Sequence, residues 1–112
     1  MEILRTKAYA KALRRMKASE ADVDRLEEEI ASDPLAGDMI QGTGGVRKAR
    51  FRIGNRGKRS GGRAVYYAAI TPERVYMLTA YAKADQDDLT ADDKKVLRAL
   101  VAEIKKALES EE

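Results

Sequence analysis

The chain has 112 residues, a formal net charge of +3, no cysteine and no histidine. That length suits one domain around one modest core. The missing cysteines remove disulfides and thiolate zinc sites, and the missing histidine removes the usual acid–base residue and the commonest metal ligand. No apolar run approaches a membrane span and MEILRTKAYA lacks the apolar block of a signal peptide, so a cytoplasmic protein without membrane contact is expected. Within the chain, charge is segregated. Eight basic residues (Arg47, Lys48, Arg50, Arg52, Arg56, Lys58, Arg59 and Arg63) and no acid lie between residues 46 and 63, whereas 1–45 and 64–112 each carry more acids than bases. One concentrated cationic segment on a mildly acidic body has the form of a polyanion footprint, most simply for a nucleic-acid backbone.

Residues 2–5 are a candidate short strand. Tyr9, Leu13 and Met16 recur at helical spacing and predict a first helix. Ser19, with Asp22 three residues on, has the form of a capping box for a second, whose stripe is Val23, Leu26 and Ile30. Pro34 and Gly37 end it. A loop over 38–45 follows. Its GTGGVR is not a GxGxxG fingerprint, and the Gly57–Lys58 pair lacks the rest of a P-loop.

Residues 46–53 alternate. Ala49, Phe51 and Ile53 share one face, and Lys48, Arg50 and Arg52 share the other. This is the period of a half-buried strand, and it predicts three cations in line on one sheet face, a repulsive arrangement unless solvent or an anion covers it. A long, mobile cationic loop is expected over 54–62. The run 63–70 is apolar on both faces and so predicts a central strand, a turn follows at 71–74, and a third strand is expected at 75–83. On that strand Thr79, Tyr81 and Lys83 should share one face, and Leu78, Ala80 and Ala82 the other. Asp85, Asp87 and Asp88 read as an acidic turn, since they lack the spacing of a calcium loop. Thr90, with Asp93, caps a last helix whose stripe is Leu97, Leu100, Val101, Ile104 and Leu108. The expected fold is α+β: one domain over 1–112, a small antiparallel sheet packed with an N-terminal helical hairpin and a C-terminal helix.

The segments DPLAGDMIQGTGGVRKARFRIGNRGKRSGGRAVYY and VYMLTAYAKADQDDLTADD resemble the RelE/HigB family of type II toxins, most closely the HigB-like subgroup. The likeness runs from about Pro34 to Leu100 and rests on three elements together: GTGG-x-RKxR, RGK-x-GGxR and YAK-x-x-x-DL. It implies a metal-independent mRNA endonuclease that cuts in the ribosomal A site, needs no cofactor and is held inactive by a cognate antitoxin. Carried over by motif, Lys48, Arg50, Arg63, Tyr81 and Lys83 become catalytic candidates. Ala84 and Thr90 stand where well-studied relatives place an arginine and a tyrosine.

Cleavage by the RNA's own 2′-hydroxyl needs alignment, charge stabilisation on the phosphorane and proton traffic at two oxygens. Arginine's planar, permanently charged fork suits the phosphate, which assigns it to Arg50 and Arg63. Lys48 or Lys83, crowded by cations, is a candidate base, and Tyr81 a candidate proton donor or base-stacking ring. Arg47, Arg52, Arg56, Lys58 and Arg59 are assigned to RNA phosphates. Three other readings stay open: a ParE-type gyrase poison on the same scaffold, a non-catalytic RNA-binding module, and a degenerate toxin kept for its antitoxin contacts.

Overall fold

Two capping boxes fix where the long helices begin. The Ser19 hydroxyl accepts from the Asp22 N–H and the Asp22 carboxylate accepts from the Ser19 N–H; Thr90 and Asp93 repeat the arrangement. In this computed structural model, which describes residues 1–70 and 73–111, the chain runs β1 (Glu2–Arg5), α1 (Lys7–Arg15), α2 (Glu20–Ser32), β2 (Asp38–Met39), β3 (Val46–Phe51), β4 (Gly62–Ala69), β5 (Arg74–Ala82) and α3 (Ala91–Ser110). Of the turn expected at 71–74, Thr71 and Pro72 lie outside the described residues, and Arg74 already belongs to β5.

The sheet order is β1-β5-β4-β3-β2, so β4 is central, as its two apolar faces predicted. The sheet is mixed rather than antiparallel, because β1 runs parallel to β5. Hydrophobic period locates a strand but says nothing of its direction; a parallel pair needs a long crossover, here supplied by the whole intervening chain. The two-residue β2 falls within the expected 38–45 loop and is too short to leave a periodic signal.

Each sheet face carries a core. On one side α1 and α2 pack Tyr9, Leu13, Leu26 and Ile30 against Phe51, Tyr66 and Met77. On the other, α3 lays Leu97 and Val101 over Val46, Val65, Leu78 and Tyr81. Each fully buried aliphatic side chain contributes roughly 1.5–3 kcal/mol. A bulge in β5 corrects the expected strand pattern. Val65 pairs with Thr79 but Tyr66 pairs with Met77, which leaves Leu78 as the extra residue. Leu78 therefore shares the α3 side with Tyr81, while Ala80 faces the helical hairpin.

Two polar fastenings tie the hairpin down. Glu27 accepts from the Arg5 guanidinium at 2.7 Å and from the Tyr9 hydroxyl at 2.8 Å. Asp22, 4% exposed, also accepts from the Gly54 N–H and from Arg25. The Ser19 N–H, with help from Arg25 and Gly54, holds its carboxyl below the ordinary aspartate range. Asp22→Asn should therefore destabilise the fold by about 2 kcal/mol in urea titration at neutral pH. A depressed folded pKa stabilises above the unfolded value of about 3.9 and loses that contribution as pH falls through the folded pKa. The gap between wild type and variant should close in acid.

Candidate active site

Strand register draws three of the expected residues into one row. Arg50 on β3 lies opposite Arg63 on β4, and Arg63 lies opposite Tyr81 on β5. Two arginines in direct cross-strand register repel, so the row needs a compensating anion or donor geometry of its own. Arg63, 7% exposed, finds partners within the protein. Its guanidinium donates to the carbonyls of Lys58 at 3.2 Å, Gly62 at 3.1 Å and Arg59 at 3.0 Å. Arg50 is exposed and has no hydrogen-bond or ion-pair partner among the described residues. Tyr81 is 7% exposed, and its hydroxyl is buried without a partner among the described residues. Burial pushes this phenol above its ordinary pKa, Asp88 adds to the shift, and Arg63 opposes it.

Beside the row lies an open cleft of about 490 Å³, lined by Lys48, Arg50, Lys58, Arg63 and Lys83 together with carboxylates. The carboxylates break the cation crowding expected from the sequence. Lys48 pairs with Asp88 at 3.1 Å, Lys58 with Glu29 at 3.1 Å and Lys83 with Asp87 at 3.5 Å. Asp88 also accepts from the Leu89 N–H at 2.8 Å; that bond, and Lys48 after it, keep its carboxyl below the usual range. The acidic turn after β5 is thus directed at lysines, and among the described residues no three carboxylates gather as metal ligands. Sequence reasoning singled out the acids and the bases separately. The Lys48–Asp88 and Lys58–Glu29 pairs span 40 and 29 residues and left no local signal, whereas Lys83 and Asp87 are one helical turn apart in sequence.

The remaining expected contacts divide. Arg56 and Arg59 are exposed on the loop. Arg47 points elsewhere, donating to the carbonyls of Leu35 at 2.9 Å and Gly37 at 2.8 Å, where it holds the turn after α2. β3 stops at Phe51, so Arg52 does not continue the Lys48–Arg50 line; it lies near Asp22, Arg25 and Glu29 of α2. The loop is fastened rather than loose, by Asp22 at Gly54, by Glu29 at Lys58 and by the Arg63 guanidinium. At its return, a Cβ on Gly61 would overlap the Phe51 carbonyl oxygen, which fixes glycine there.

A family model described as the RelE toxin of the RelE/RelB toxin–antitoxin system matches residues 1–112. The chain belongs to the RelE toxin family. The solved structure of an arginine double mutant of the E. coli toxin RelE in the free state superposes with a TM-score of 0.52 at 16% identity, covering 77% of this chain and 86% of that one. At that identity the likeness carries the fold, which is the α+β arrangement of RelE. In this RelE-family chain Thr90 is occupied in capping α3. Tyr81 is the tyrosine that stands in the row with the two arginines. No helix among the described residues is long and apolar enough to cross a membrane.

Proposed function

We propose that this toxin is a metal-independent endoribonuclease that cuts mRNA on the ribosome and is silenced by a cognate antitoxin. The observation that carries the reading is the row itself. An arginine without a partner among the described residues and a second arginine that fixes the loop line a cationic cleft, and in register with them on β5 lies a buried phenol with an unused hydroxyl.

In this reading Arg50 and the Lys48, Lys58 and Lys83 ammonium groups hold the phosphate on either side of the scissile bond, and Arg63 keeps the donors in place. The 2′-oxygen gives up its proton and attacks phosphorus. The bond from phosphorus to the 5′-oxygen breaks, a 2′,3′-cyclic phosphate forms, and the departing 5′-oxygen takes the Tyr81 proton. When Lys48 turns to the phosphate it leaves Asp88, whose carboxylate then becomes a stronger base and accepts the 2′-proton. Arg56 and Arg59 add salt-dependent contacts to flanking phosphates. Without histidine, both proton carriers work far from their best pH, so positioning of the message by the ribosome supplies much of the rate.

Primer-extension mapping of mRNA in a translating extract tests this. Discrete cuts in codon phase, absent from naked RNA at matched concentration, are the expected result. Intact message with loss of DNA supercoiling would overturn it in favour of a gyrase poison. Intact message with retained RNA affinity would make the protein a binder without chemistry.

A further inference from the structure

The net charge of residues 1–45 conceals a second cationic surface, because the acids of α2 offset it in the sum. Between Glu2 and Glu20 the chain carries six basic residues and no acid: Arg5, Lys7, Lys11, Arg14, Arg15 and Lys17. Lys7, Lys11, Arg14 and Arg15 follow the i, i+4, i+7, i+8 spacing of one helix face, about 10 Å long from Lys7 to Arg14. All four are exposed and, like Lys17, have no ion-pair partner among the described residues. The neighbouring α2 is rich in carboxylates, yet among the described residues the one ion pair it makes with this N-terminal basic set is that of Glu27 with Arg5. The two helices keep their charges apart.

Three local features work against this arrangement. Like charges three and four residues apart repel along α1. Lys7 stands in the first turn, where the helix dipole disfavours a cation and no acid is present. Lys17 takes a left-handed backbone, φ 58°, as the residue that closes α1: its N–H bonds the Arg14 carbonyl, and the Ala18 N–H bonds the Leu13 carbonyl. Glycine or asparagine is preferred at such a position. A cation kept where strain and repulsion both oppose it points to a ligand.

We infer that α1 and Lys17 form a docking surface for the phosphates of a folded, double-helical RNA, separate from the cleft. The inference rests on the proposed function in two respects, that the ligand is RNA and that Arg56 and Arg59 contact its phosphates. A membrane is disfavoured, because the apolar side of α1, Tyr9, Ala12 and Leu13, is already buried in the core. Continuity favours RNA over an acidic protein. Asp22 holds Gly54 at one root of the basic loop, and Met16 packs beneath Gly62 at the other. The C-terminal end of α1 therefore adjoins the loop that carries Arg56 and Arg59, and one structured RNA can span both.

Fluorescence anisotropy with a blunt-ended RNA duplex and with a single-stranded oligomer, across a salt series, tests the inference. Three proteins are compared with wild type: the fourfold glutamine variant of Lys7, Lys11, Arg14 and Arg15; Lys17→Gly; and Arg50→Ala. The fourfold variant should lose at least about tenfold in duplex affinity and flatten the salt slope by about 3. Lys17→Gly should raise the thermal midpoint yet weaken duplex binding, which no purely structural role for the residue would produce. Arg50→Ala should weaken single-strand binding and leave the duplex nearly unchanged. Three results would overturn the inference: wild type that ignores the duplex, a fourfold variant with unchanged duplex affinity and slope, or equal loss against a polyglutamate peptide. None of the three touches the cleavage reading, which fails if the message survives intact or if naked RNA is cut equally well.

Discussion

Replacing Tyr81 with phenylalanine should raise the unfolding free energy by about 1 kcal/mol and cut mRNA cleavage by about two to four orders of magnitude. The two effects have one source. The Tyr81 hydroxyl is buried and makes no hydrogen bond to the described residues. Leaving such a group unpaired costs free energy that phenylalanine does not incur, while the ring keeps its packing against Val65, Leu78 and Leu97. In the proposed reading that cost is offset by the proton the hydroxyl gives up when substrate arrives. Urea titration and single-turnover cleavage on ribosomes read the two halves separately. Loss of stability with full activity would show the hydroxyl to be a structural group. The pH dependence has a defined sign as well. Burial raises the phenol's pKa, so Tyr81 remains protonated beyond pH about 10 and can donate across the neutral range. The unfolded chain ionises its phenol first, so the alkaline side also favours unfolding of the wild type relative to the phenylalanine variant.

Much of this architecture was legible because its signals are local. Ser19 with Asp22 and Thr90 with Asp93 each lie within one helical turn, and both boxes form as their spacing predicts. The doubly apolar 63–70 run marked the central strand for the same reason. What stayed hidden is non-local or averaged out. The parallel pairing of β1 with β5 joins residues more than seventy apart. The bulge at Leu78 displaces one residue within a run that is apolar on either side, so alternation could not reveal it. Alternation already puts Arg47 on the Ala49 and Phe51 side, but the carbonyls of Leu35 and Gly37 that hold it there lie 12 and 10 residues away and could not be foreseen. The α1 cations were legible in principle. Over residues 1–45 a basic helix and an acidic one nearly cancel in net charge.

The sharpest test of the row compares its two arginines, which the sequence treats alike and the structure does not. Arg50→Ala should lower turnover by about 10²–10³-fold, roughly 3–4 kcal/mol of charge stabilisation, with stability unchanged within about 0.5 kcal/mol. Its side chain is exposed and free of protein partners among the described residues, so truncation removes nothing from the fold. Arg50→Lys should recover only part of the rate, because an ammonium keeps the charge but loses the planar fork. Arg63→Ala should behave differently. Three carbonyl contacts disappear with it, two to the loop and one to Gly62 at the start of β4, from a side chain that is 7% exposed. Buried acceptors left without a donor cost about 1–3 kcal/mol, so this variant should unfold earlier as well as cleave slowly. Its activity loss alone therefore cannot separate chemistry from loop placement, whereas Arg50→Ala can. Equal destabilisation of the two variants would mean that Arg50 holds the fold. Full activity in Arg50→Ala would remove the free guanidinium from the phosphate site and leave charge stabilisation to the lysines, which must first release Asp88, Glu29 and Asp87.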